Sequence, residues 1–221
     1  MAIGPRVVIA VAAVATAVVV VAVAERRSQS HVVEAGFWFH DVTFDSQELS
    51  AKGGGPLSGE ERAVVEGLAR EEMARAFAPW RIDITGARSA HYRVRVVQAL
   101  APRRGPAAMA AAESHVFGPL GGAGTVSFST LAALAVGYAP PATTRPQLVD
   151  AIGRGIGRVA AHELAHQILP LENFHASRDD TSYDFGAVNR TSQFYGDLHW
   201  DLAGPWLEAA LGRRAAAPGP P

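Results

Sequence analysis

The chain has 221 residues, a formal net charge of −1 and no cysteine. A near-neutral balance leaves no electrostatic footprint for nucleic acid. The missing cysteines exclude disulfides, thiolate metal sites and a cysteine-based inhibitory latch. The length fits one domain of about 190 residues once a targeting segment is set aside.

That segment comes first. Val7 to Ala24 is an unbroken apolar run, apart from one Thr, preceded by Arg6 and followed by Glu25-Arg26-Arg27. Ala22-Val23-Ala24 matches a small-residue cleavage pattern, and the run is just long enough to span a bilayer. Residues 1–27 are thus expected to be a signal peptide or an N-terminal membrane anchor. Either one exports the domain, as a secreted or anchored extracytoplasmic protein. Arg26 and Arg27 pull mildly against that orientation. The expected folded unit is 28–214, with membrane contact only through the apolar segment. A low-complexity tail follows over 215–221.

Within the domain, residues 25–35 read as a linker and Gly36 to Phe44 as an aromatic, β-branched strand. Lys52 to Pro56 is a loop. Ser58 and Glu61 form a capping box that opens a helix running to about Phe77, with Val65, Ala69, Met73 and Phe77 on one stripe. Trp80 to Ile84 and Tyr92 to Val96 alternate as strands, the second with its arginines on the wet face. Pro102 to Pro106 is a turn. Gly118 to Gly124 is glycine-rich and leads into an alternating strand, Thr125 to Ser129. An apolar stretch then runs to Tyr138 and the Pro140-Pro141 turn.

The next helix carries the chemistry. Pro146 suits its first turn, Leu148, Ile152, Ile156, Ala160, Leu164 and Ile168 recur every four residues, and Pro170 ends it. Gly153, Gly155 and Gly157 lack the spacing of a dinucleotide fingerprint, so close helix packing explains them. Near the helix end stands His162-Glu163-Leu164-Ala165-His166. Residues i and i+4 share a helix face, so His162 and His166 can ligate one metal ion. Zn2+ accepts neutral imidazole nitrogens and in catalytic sites keeps a position open for water. Glu163 can take a proton from that water. The neighbours Val159, Ala160, Ala161, Leu164, Ala165, Gln167 and Ile168 are uncharged, as a buried catalytic helix requires.

With helix, strands and H-E-x-x-H helix in this order, Gly36 to Phe185 resembles the metzincin zinc peptidases, and within them the matrixins. The resemblance implies an α+β fold: a small twisted mixed β-sheet packed on two long helices, the second carrying the motif, plus a loop-rich C-terminal subdomain. Metzincins continue as H-E-x-x-H-x-x-G-x-x-H. Here Leu169 stands at the glycine and Glu172 at the third ligand. His175 lies three residues further on and opens His175-Ala176-Ser177-Arg178-Asp179-Asp180-Thr181-Ser182-Tyr183, which looks like the matrixin segment after its third histidine. A three-residue insertion makes His175 the expected third ligand, with Glu172 the alternative. No methionine is available for the family's turn beneath the zinc, since Met occurs only at 1, 73 and 109; Tyr183, Asp184 or Phe185 must take that place.

Asp179, Asp180 and Asp184 could accept the far N–H of a ligating histidine or simply serve turns. Tyr183 and Tyr195 could donate to an oxyanion or pack as core aromatics. His199 reads as a packed or surface histidine. His31, His40, His91 and His115 have no spacing that singles them out. The implied activity is zinc-dependent endopeptidase action on a peptide or protein substrate, with Glu163 as general base. The substrate is expected to pair with an edge strand at Thr125 to Ser129. Two other classes stand beside it: a zinc-bearing but inactive binding or assembly domain at the cell envelope, and a metal-free structural protein.

Overall fold

The computed structural model describes residues 32–101, 111–117, 121–169 and 174–215. The apolar run 7–24, Pro170, Glu172 and the tail beyond Ala215 lie outside them. No helix among the described residues is long and apolar enough to cross a membrane.

The fold is α+β. Its strands are β1 (Val33–Phe39), β2 (Ile82–Thr85), β3 (Tyr92–Val97), β4 (Ala112–Val116) and β5 (Gly122–Ser127). They form one mixed sheet in the order β2-β1-β3-β5-β4. β1, β2, β3 and β5 are parallel, with Phe37 beside Val94 and Arg95 beside Thr125; β4 runs antiparallel to β5. The helices are α1 (Gln47–Lys52), α2 (Gly59–Ala76), α3 (Phe128–Gly137), α4 (Arg145–Ile168), α5 (Ser192–Tyr195) and α6 (Gly204–Leu211), with a 3-10 turn at Phe174–Ala176.

Local chemistry sets the two long helices. Ser58 caps α2: its N–H donates to Glu61 Oε2 (2.8 Å) and the Glu61 N–H donates back to Ser58 Oγ (3.2 Å). The Val65, Ala69, Met73 and Phe77 stripe is buried, as its spacing requires. On α4, Leu148, Ile152, Ile156, Ala160 and Leu164 are buried, while Ile168 is only partly so. The helices lie close because glycines face the contact. A Cβ on Gly157 would come within 2.4 Å of the Ala69 carbonyl oxygen, and one on Gly153 within 2.9 Å of Leu68 Cβ. Gly155 meets Phe194 of α5 instead. Arg145 joins the starts of both helices, donating to Glu61 Oε1 at 2.8 Å and Oε2 at 2.9 Å.

Several boundaries differ from the sequence pattern. The first strand is Val33–Phe39 rather than 36–44. The chain turns through positive φ at Asp41 and Phe44, which folds Phe44 back into the core. β2 starts at Ile82 because Trp80 leaves the strand to pack between Phe77 and Trp200. The strand expected over 125–129 ends at Ser127, whose Oγ accepts from the Thr130 N–H (3.3 Å) and starts α3. β4 has no alternating apolar pattern and is not legible in the sequence.

The largest correction concerns the glycine-rich strand. β5 is interior, between β3 and β4, so Thr125 to Ser129 is not an edge. Its glycines allow α4 to lie directly against the sheet. A Cβ on Gly122 would sit 2.5 Å from Gln167 Cγ, and one on Gly124 3.3 Å from Glu163 Cβ. Gln167 then pairs with the β3 backbone: the Arg93 N–H donates to its Oε1 (3.2 Å), and its Nε2 donates to the Arg93 carbonyl (3.1 Å).

Candidate metal centre

His162 and His166 project from one face of α4, and the chain returns after the helix to place His175 opposite them. The three Nε2 atoms form a triangle: 2.9 Å from His162 to His175, 2.9 Å from His166 to His175 and 3.1 Å from His162 to His166. These residues are the group among the described histidines and carboxylates that could hold a metal ion. His175 also packs on Gly186, where a Cβ would come within 3.0 Å of its ring.

The tautomer of His162 follows from its neighbour. The Tyr183 carbonyl can only accept, and it lies 2.6 Å from His162 Nδ1. His162 Nδ1 therefore carries the proton and Nε2 presents a lone pair. Burial, followed by the repulsion of His166, holds the His162 pKa down to about 3. His166 is lowered to about 4 by burial and by His175, and His175 is lowered by burial. Three neutral imidazoles thus aim nitrogens at one point. Three nitrogens at about 2.0–2.1 Å from one zinc would sit roughly 3 Å apart, which is the spacing found. A cation fits this donor set.

Glu163 follows His162 on α4 and faces the same cleft. Burial raises its pKa to about 7; the Ser114 hydroxyl opposes the rise and Glu113 adds to it. Ser114 Oγ also donates to the Glu163 backbone carbonyl (3.0 Å), which fixes β4 against α4 beside the histidines.

The aspartates and tyrosines named from sequence do other work. Asp179 accepts from the Thr181 N–H (2.8 Å) and hydroxyl (2.6 Å) and pairs with His199 (3.3 Å). The Asp180 carbonyl accepts from Ser192, and Asp184 Oδ2 accepts from the Ala203 N–H. Tyr195 donates to the Ala135 carbonyl (2.8 Å). Tyr183 is a core aromatic: it is 4 % exposed, lies 4.8 Å from the Trp200 ring, and its hydroxyl reaches Glu72 Oε1 at 3.4 Å. Of the three residues that could stand in the methionine's place, Tyr183 is the one tied to a ligand, and through its backbone.

Sequence reasoning missed the support around Arg158. This residue is 1 % exposed, one turn before His162. Its Nε donates to Glu72 Oε1 of α2 (2.7 Å), its Nη1 to the carbonyls of Ser192 (3.0 Å) and Gln193 (3.2 Å), and its Nη2 to that of Gly196 (2.8 Å). The loop-rich C-terminal segment is anchored to both long helices through this one side chain. An arginine on the apolar i, i+4 helix was the only signal available.

The histidines open into a cleft of about 1140 Å³, bounded by β4, α3, α4 and residues 185–189. β4 is the edge strand along it. The Ser127 N–H donates to the Ala111 carbonyl and the Phe117 N–H to the Gly121 carbonyl, both at 2.8 Å. By antiparallel alternation, the backbone groups of Ala112, Ser114 and Val116 then point away from β5. The opposite edge is shielded: the Arg214 N–H donates to the Pro79 carbonyl (2.9 Å) and its guanidinium to that of Ile82 (2.6 Å). Comparison with protein-family models, with curated proteins and with solved structures finds no match to this chain.

Proposed function

We propose that the protein is a zinc-dependent endopeptidase of metzincin-like type that acts outside the cytoplasm. The observation carrying this reading is the convergence of three neutral histidine nitrogens beside a buried carboxylate in an open cleft. His162, His166 and His175 would hold the ion. When bound, zinc supplies an acidified water and a Lewis acid for the carbonyl under attack.

The chain's own residues do the rest. The Glu163 carboxylate takes a proton from the attacking water and delivers it to the leaving amine. An extended peptide adds to β4 through the outward backbone groups of Ala112, Ser114 and Val116. Main-chain pairing of this kind serves a substrate that is a polypeptide.

Metzincin likeness is supported by the motif, by a third histidine beyond the helix end, and by the Tyr183 turn beneath the first ligand. The apolar run 7–24 supports the location. The deciding experiment measures zinc content together with peptide hydrolysis for the parent chain and for Glu163→Gln. Zinc retained with hydrolysis lost is the expected result. Zinc retained with no hydrolysis in either protein would favour a binding domain.

A further inference from the structure

We propose that the deep end of the cleft selects a substrate side chain with an apolar stem and an oxygen acceptor at its tip, glutamate ahead of glutamine. This rests on the peptidase reading and names its substrate class.

Depth in the cleft is marked by burial. Val159 and Gln193 line it yet are 2 % and 3 % exposed. Ala133 and Leu134 of α3 and Val188 add aliphatic surface to the same cleft. An apolar stem suits those walls.

Gln193 determines the chemistry of the end. Its Oε1 accepts from Arg190 Nη2 at 3.0 Å. That bond orients the amide, because a guanidinium can only donate. The carboxamide is left with its NH2 group to offer, so the cleft end is a donor. Arg190 adds charge to this polarity. It is 8 % exposed and its Nη2 also donates to the Ser182 carbonyl (2.8 Å), with the guanidinium 4.8 Å over the Phe185 ring. Its Nε and Nη1 have no partner, and among the described residues it forms no ion pair. Asp180 and Asp179 act on the guanidinium only from beyond ion-pair distance, so a buried cation with two unbonded nitrogens, next to an N–H donor, favours an anionic acceptor in front of it. Arg158, also at this end, is already neutralised by Glu72 at 2.7 Å.

The test uses the zinc-loaded full-length chain and four peptide hydroxamates that differ in one side chain: glutamate, glutamine, methionine or lysine. These are close in length and differ at the tip. Binding is read by titration, and zinc content is measured on the same samples. The glutamate probe should bind roughly tenfold or more tightly than the methionine probe, with lysine weakest, as a hydrogen bond to a charged group predicts. Gln193→Leu should erase the glutamate advantage. Gln193→Glu is nearly isosteric and turns the donor into an acceptor, so it should reverse the order of the glutamate and lysine probes. Equal binding of all four probes to zinc-loaded protein, or an order unmoved by Gln193→Glu, overturns the inference and leaves the peptidase reading standing. A chain that takes up no zinc overturns the peptidase reading itself.

Discussion

The Tyr183 carbonyl holds the Nδ1–H of His162 at 2.6 Å, so a residue 21 positions later sets which nitrogen of this histidine faces the other two. Such a bond fixes both the ring plane and the tautomer, and raises the basicity of the ligating nitrogen. It ties the candidate metal centre to the C-terminal segment, which is itself anchored by Arg158 to Glu72 and to the carbonyls of Ser192, Gln193 and Gly196.

Metal content is the first expectation. The full chain should bind about one zinc per molecule, and a His162→Ala, His166→Ala double variant should bind none at that site. Chelation should lower the melting temperature by mass action. Elemental analysis of parent and variant checks this; equal zinc in both would remove the assignment.

The third ligand can be separated from its neighbour in sequence. His175 Nε2 is 2.9 Å from each of the other two ligand nitrogens. His175→Ala should therefore weaken zinc binding by more than the roughly 10–100-fold typical of residues that only support a ligand, and Glu172→Ala by much less. Competition against a chelator of known affinity gives the ranking. The reverse order would move the ligand to Glu172.

In the proposed mechanism catalysis turns on Glu163. Glu163→Gln keeps size and hydrogen bonding but cannot accept a proton at neutral pH. Hydrolysis of a denatured-protein or peptide library should fall by about 10²–10⁴-fold, with zinc content near that of the parent. Mass spectrometry maps the products, with chelator as the second control. Full activity in the variant would mean that the base lies elsewhere.

Acid should destabilise the metal-free protein, and the sign follows from the histidines. His162 and His166 titrate at about 3 and about 4 in the folded chain, below their ordinary value of 6.5. Between those values the unfolded chain binds more protons. The histidines' contribution is therefore complete above about pH 6.5 and declines as pH falls toward 3, by at most about 1.4 kcal/mol per unit for each group; Glu163, raised by burial from 4.5 to about 7, opposes it by one proton between those values. Thermal melts of the chelated protein from pH 7 to 4 read this slope. His162→Ala should flatten it, and an unchanged slope would mean that the ring is not buried neutral.

Packing of the two long helices gives a stability test away from the chemistry. A Cβ at position 157 would press on the Ala69 carbonyl at 2.4 Å and on Glu72 Cβ at 2.9 Å. Backbone cannot yield there without separating α2 from α4. Gly157→Ala should cost about 1–3 kcal/mol despite its better helix propensity. Gly67→Ala, on the open face of α2, should be neutral or stabilising. Urea titration compares the two, and a neutral Gly157→Ala would contradict the close approach.

Sequence alone determined what depends on local periodicity and on residue chemistry. The four-residue apolar repeat and Pro146 specify α4; the Ser58–Glu61 box and its stripe specify α2; the spacing of His162 and His166 puts two imidazoles on one face. Each is a relationship within one or two turns, and the chain carries it wherever the helix goes. Tertiary structure decided what requires distant segments to meet. β4 has no alternation to reveal it, since Ala112 to Val116 is partly or fully exposed throughout, and only pairing with β5 makes it a strand and the open edge. Gly122 and Gly124 resemble edge or turn glycines by composition; that they lie under α4 depends on where Gln167 and Glu163 fall. His175 met the other histidines because the return path brings it there, and Tyr183 supports them through a backbone carbonyl, a group that every residue possesses and no sequence pattern can mark.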